Sequence, residues 1–205
     1  PAAALVFKTI ADPFVGKITM FRVYSGVVRS DSQIYNATKG KMERLGQVFL
    51  LKGKQQVPVT EAGPGELAAV AKLAETTTGD TLCDRDKPVL LPKIDFPKPV
   101  LSMAAKPKAK GDEDKIGQGL ARLLEEDPTL SFTKDAETGE LVVAGMGEVH
   151  LEIVADRLKR KFGAEMTLDT PRVPYRETIR GTVKVEGKHK KQTGGRGQYG
   201  HVWIE

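Results

Sequence analysis

The sequence predicts a multi-domain protein: an all-β body, then an α+β body, then the opening of an incomplete third unit of α/β type. Three observations lead to that reading. Short apolar runs punctuated by turn residues fill the first part of the chain; the proline-rich stretch DRDKPVLLPKIDFPKP interrupts them; beyond it the hydrophobic period changes from two to about 3.6 and back.

Between Ala4 and about Asp84, the segments ALVFKTI, KITMFRVYSG, VVRSDSQIYNA, MERLGQVFLL, QQVPV and GELAAVAKL are rich in Val, Ile, Phe and Tyr, and several alternate in hydrophobicity. Asp12-Pro13, Ser25-Gly26, Thr38-Lys39-Gly40 and Gly63-Pro64-Gly65 separate them as turns. About six short strands at this spacing predict a small closed barrel or a sandwich over residues 1–88, with no helix. Prolines 88, 92, 97 and 99 then remove ladder donors and favour extended backbone, so 89–99 reads as a stiff connector.

The second body spans 100–171. VLSMAAKP is extended, and Asp112 opens a run in which Ile116, Leu120, Leu123 and Leu124 recur on one helical face until Asp127-Pro128. TLSFTKD and ELVVAG flank AETG as a hairpin. A second helix carries Leu151, Val154, Ala155, Leu158 and Phe162 as its stripe, with Lys159, Arg160 and Lys161 in its last turn, where positive charge suits the helix dipole, and Gly163 as its stop. AEMTLD supplies a fourth strand. Strand, helix, strand, strand, helix, strand is the split βαβ order of a ferredoxin-like domain, with both helices on one face of an antiparallel sheet. From 172 to 205, YRETIR, GTVKVEGKHKKQ and HVWIE alternate again, with the glycine-rich TGGRGQYG between the last two.

The charge of +5 favours an acidic partner, nucleic acid first and an anionic membrane surface second. A single cysteine, Cys83, excludes an internal disulfide and suits a reducing compartment; its strand setting marks it as a core residue rather than a nucleophile. No apolar run reaches the roughly 20 residues that span a bilayer, and the reading is a cytoplasmic protein without a membrane partner.

Chemistry-bearing motifs are few. GGRGQYG lacks the Lys-Ser or Lys-Thr pair of a phosphate loop and runs into a strand, which argues against nucleotide binding. It leaves a solvated hairpin connection or an RNA contact, with Lys188, Lys190, Lys191 and Arg196 reaching phosphates and Tyr199 offering a stacking face. Lys106, Lys108 and Lys110 form a second basic run, a solvated loop or a contact to phosphate or an acidic protein surface. In AGMGEVHLEI, Gly145 and Gly147 permit close backbone approach and Glu148 suits a helix N-terminus. His150 and Glu152 point to different faces of a helix and match no metal spacing, and His150, His189 and His201 form no triad, so no catalytic or metal site is assigned.

AGMGEVHLEI, DKIGQGLARLLEEDPT and GGRGQYGHVWIE resemble the bacterial elongation factor G family of ribosomal translocases, over essentially the whole chain. ADPFVGKITMFRVYSG and TTTGDTLCD are similar to its second domain, a β-barrel; GMGEVHLEIVADRLKRKF to its ferredoxin-like third domain; VPYRETIR onward to the start of its fourth. The resemblance implies a section of a translational GTPase that couples nucleotide-driven changes to movement of the fourth domain against transfer RNA on the ribosome. It also implies that GTP or GDP with magnesium belongs to a GTPase domain preceding Pro1. No GxxxxGK[ST] occurs in the chain, which therefore reads as an internal fragment without cofactor or enzymatic activity of its own, acting as a monomer. A paralogue devoted to recycling or ribosomal protection, or a stand-alone RNA-binding module, shares the same features.

Overall fold

The β-branched and aromatic runs of the first 83 residues pair as antiparallel strands in a computed structural model that describes residues 1–205 other than 13, 14, 54, 110 and 193. The strands are β1 (Ala3–Asp12), β2 (Gly16–Ser25), β3 (Val28–Arg29), β4 (Gln33–Asn36), β5 (Lys41–Arg44), β6 (Val48–Lys52), β7 (Gln55–Val59), β8 (Glu61–Ala62), β9 (Leu67–Ala71) and β10 (Thr81–Cys83). Eight of them form one sheet in the order β5-β4-β10-β1-β2-β9-β6-β7, and β3 pairs with β8 in a separate ribbon. Sheet and ribbon enclose one core: Val6, Phe21, Val23, Val28, Leu45, Ala62, Val70 and Leu82 all pack into it, which makes the unit a small barrel. Cys83 lies fully buried in β10.

Two expected strands are each broken in two. In VVRSDSQIYNA the chain turns at Asp31, which adopts φ 52°, a left-handed conformation that Asp tolerates better than most residues. In MERLGQVFLL, Leu45, Gly46 and Gln47 leave the ladder, and Leu45 plugs the core. A buried polar cluster fixes the loop of TTTGDTLCD: Glu43 accepts from the amides of Ala74, Glu75 and Thr76 at 2.6 to 3.0 Å, and Asn36 donates to Asp80 at 2.9 Å. Buried carboxylates are tolerated where backbone donors satisfy them.

Among the described residues, no helix or strand lies between Cys83 and Leu101. The second body then follows as β11 (Leu101–Pro107), α1 (Glu113–Glu126), β12 (Ser131–Lys134), β13 (Leu141–Gly145), α2 (Glu148–Phe162) and β14 (Met166–Asp169). Its sheet order, β12-β13-β11-β14, with every pair antiparallel, is that of a ferredoxin-like domain. Alternate residues of the sheet, such as Met103, Phe132, Val143 and Met166, share a core with Ile116, Leu120, Leu123, Leu151, Val154 and Leu158 of the helices.

Leu124, expected on the α1 stripe, is instead 37% exposed, because at 3.6 residues per turn it sits about 80° round the helix from Ile116. Gly119 takes the inner position: a Cβ there would lie 2.3 Å from Leu158 Cδ1, so the glycine permits close approach of the helices. Gly163 closes α2 in the left-handed conformation, φ 64°, its amide bonded to Lys159 O at 3.0 Å.

Residues 173–205 form a separate unit. YRETIR, which alternates in sequence, joins no ladder among the described residues, and regular structure resumes only with β15 (Val185–Gln192) and β16 (Gly197–Ile204), an antiparallel hairpin.

Candidate nucleic-acid interface and interdomain seam

The hairpin register decides which basic residues act together. Lys188 faces His201, Lys190 faces Tyr199, and Glu186 faces Trp203 across the ladder. With a side-chain period of two, these residues share one face, while Val185, His189, Lys191, Gln198, Val202 and Ile204 share the other. Of the residues singled out from sequence, Lys188, Lys190 and Tyr199 are thus brought together; Lys191 lies opposite, and Arg196 lies in the connection between the strands.

Two aromatic rings extend the first face beyond what the motif reading found. His201 and Trp203 lie 6.3 Å apart between centroids, tilted by 56°, and Tyr199 is 67% exposed. His201 Nε2 is 2.7 Å from Glu186 Oε1. The alternation that carries Lys188 and Lys190 to one side would also have carried Tyr199, His201 and Trp203 there; cross-strand register was the absent information. Cations interleaved with exposed rings can grip phosphates and stack on unpaired bases.

The other basic run carries surface ion pairs. Lys106 pairs with Asp169 and Lys108 with Glu165, each at 3.0 Å; Lys110 lies outside the described residues. Glu165 also meets Lys159 at 3.0 Å, and hydrogen bonds from Lys159 and then Lys108 hold its carboxyl below the usual range. Nearby, Arg172 donates to Glu140 through its amide and Nε, both at 2.9 Å, and these contacts, the amide first, likewise depress the Glu140 carboxyl.

His150 has a structural position. The Met146 amide donates to its Nδ1 at 3.0 Å, so Nε2 carries the proton that meets Asp127 Oδ2 at 2.9 Å. Asp127 caps α1 and accepts from the amide and hydroxyl of Thr129 as well. Burial raises its carboxyl, but the Thr129 and His150 hydrogen bonds outweigh burial and leave it below its ordinary value. Gly145 is required here, since a Cβ would lie 2.9 Å from His150 Nδ1; Gly147, by contrast, is extended with open space around it.

Helix α1 packs against β1, which joins barrel and ferredoxin-like domain in one unit. The seam centres on Glu126, whose Oε1 accepts from the Ala11 amide and from Lys161 Nζ, both at 2.7 Å. Its side chain is only 11% exposed. No local pattern signals this carboxylate, because Ala11 and Glu126 are 115 residues apart.

Known proteins match the chain over nearly its whole length. Family models described as elongation factor G domain 2, domain III and domain IV match residues 1–85, 96–170 and 171–205. A crystal structure of a protein from Thermus thermophilus is 39% identical over 99% of this chain, with a TM-score of 0.78. The chain spans 31% of that protein's length. Three successive domain models, on a barrel, a ferredoxin-like sheet and a hairpin, show that the chain belongs to the elongation factor G family.

Proposed function

We propose that this chain is the linking section of a ribosomal translocation factor. Its barrel and ferredoxin-like domain, residues 1–88 and 100–171, dock on the ribosome and change their mutual arrangement as a GTPase domain changes nucleotide state. The observation that carries this reading is the seam: two separately cored bodies meet with one low-exposure carboxylate, Glu126, tying a barrel amide to a helix lysine. A junction between separately cored bodies is the kind at which domains rotate. GTP or GDP with magnesium would be held by the GTPase domain; no residue of this chain is assigned to it. The factor works in the cytoplasm as a monomer, and transfer RNA is met by the remainder of the fourth domain.

Spin labels at Arg44→Cys and Lys134→Cys, both exposed sites, test the reading, since buried Cys83 is shielded from labelling. The distance distribution should shift or split when ribosomes are added. One narrow distance, identical free and ribosome-bound, would remove the coupling role.

A second reading has its own support. The face of Lys188, Lys190, Tyr199, His201 and Trp203 favours direct RNA contact by the hairpin, whether or not the seam moves.

A further inference from the structure

Two clefts border the seam. A cavity of about 480 Å³ is bordered by Asp12 and Gly16 of the barrel and by Lys115, Arg122 and Lys161. Another, of about 460 Å³, is bordered by Lys8, Glu126, Arg157, Arg160 and Lys161. Lys161 reaches both. Six cations from β1, α1 and α2 thus converge around two carboxylates, Asp12 and Glu126.

Three of the six are already engaged: Lys115 with Asp112 at 3.0 Å, Arg160 with Asp156 at 2.6 Å, and Lys161 with Glu126 at 2.7 Å. Among the described residues, Lys8, Arg122 and Arg157 have no acidic partner. Cations that line a cleft without an ion-pair partner make that cleft attractive to an anion. The cations come from three elements and line two clefts joined at Lys161, which suits a chain of anionic groups better than a single small ion. Three are guanidinium groups, whose planar forks match phosphate oxygens.

We propose that this seam is a second RNA-docking groove, separate from the hairpin face, which takes the phosphate backbone of structured RNA along Lys8, Arg122 and Arg157. Lys161 is then shared between Glu126 and a phosphate, so RNA in the groove competes for the bond that ties α2 to the seam. The proposal rests on the ribosome-docking reading above and adds the residues and the chemistry of contact.

The test compares three variants of the full chain for binding to purified ribosomes and to a structured control RNA across a salt series. The first is Lys8→Ala with Arg122→Ala and Arg157→Ala. The second, Lys188→Ala with Lys190→Ala, alters only the hairpin. The third, Lys52→Ala with Lys93→Ala and Lys98→Ala, removes the same charge from exposed sites elsewhere. The seam variant should lose about tenfold or more in ribosome affinity near 0.1 M salt, and its salt slope should fall by about 2 to 3, given roughly 0.7 to 0.9 per phosphate contact. The third variant should change much less.

Equal effects of the seam and third variants would overturn the groove, as would an unchanged slope in the seam variant. Loss confined to the hairpin variant would overturn it too, while leaving ribosome docking intact. If the parent binds ribosomes no better than control RNA, the docking reading fails. The seam variant's slope on control RNA then still decides the groove: a fall of about 2 to 3 supports it, and no change overturns it.

Discussion

Replacing Glu126 by alanine isolates the bond on which the seam depends. In the parent, Oε1 accepts from the Ala11 amide at 2.7 Å and from Lys161 Nζ at 2.7 Å, with the Glu126 side chain 11% and that of Lys161 32% exposed. A hydrogen bond to a charged acceptor contributes about 1.5 to 3 kcal/mol, and losing it leaves the Ala11 amide without this acceptor. The ion pair, partly open to water, adds less than about 1 kcal/mol. Together they give about 2 to 3 kcal/mol for local opening at Ala11, which at about 1.4 kcal/mol per tenfold is roughly 30- to 140-fold in an equilibrium constant. Amide hydrogen exchange reads this directly. Ala11 in Glu126→Ala should exchange about 30- to 140-fold faster than in the parent, while amides in the middle of β1 keep their rates. Glu126→Gln, which keeps a neutral acceptor, should fall between. An Ala11 rate within about twofold of the parent in Glu126→Ala would refute the reasoning, because a bond of the strength assigned here could not then be present.

Other perturbations have equally definite outcomes. Gly26→Ala sets a Cβ 2.5 Å from Ala2 N and Pro1 O at φ 63°; it should cost about 2 to 3 kcal/mol, read as a lower urea midpoint, and an unchanged midpoint would refute the clash. Asp127 has a folded-state carboxyl held below its ordinary 3.8, so its stabilisation is present above that value and lost as pH falls through the lower folded value. Asp127→Asn should therefore flatten the stability profile below about pH 4, and superimposable acid profiles would count against the Thr129 and His150 network. On the hairpin, Lys188→Ala with Lys190→Ala should weaken ribosome binding more than Lys188→Ala with Lys191→Ala, since only the first pair shares a face. Equal losses would mean that charge alone matters. Tyr199→Ala should cost about 1 to 3 kcal/mol of RNA binding if a base stacks there, measured by filter binding.

The parts that sequence revealed are those governed by local periodicity. The change to a helical period at Asp112, the stop at Gly163 and the turn AETG are each decided within a few residues, and the split βαβ order follows from them. Where packing decides, the reading slipped. Asp31 and Leu45 interrupt runs that look continuous, because the barrel must bend there to enclose its core. Leu124 yields its place to Gly119, whose value lies wholly in the closeness of Leu158. YRETIR has strand-like alternation but joins no ladder among the described residues, since alternation without a neighbouring strand makes no sheet.

The candidate sites divide in the same way. Lys188, Lys190 and Tyr199 are visible as basic and aromatic residues near glycines, but their common face, and the separation of Lys191 from it, depends on register. Glu126, Lys8, Arg122 and Arg157 lie in three distant stretches of sequence and become a group only when α1 meets β1. Arg160 and Lys161 look sufficient as dipole partners at the end of α2, and that local role hides the second one at the seam.

The measurement that tests the account most directly is co-sedimentation of the chain with ribosomes over a salt series, beside a structured control RNA at equal phosphate concentration. Docking through a built surface predicts ribosome binding well above the control at moderate salt, persisting after control binding has vanished. Equal binding to both, lost together as salt rises, would contradict it and reduce the chain's affinity to the attraction of a net +5 charge for any polyanion.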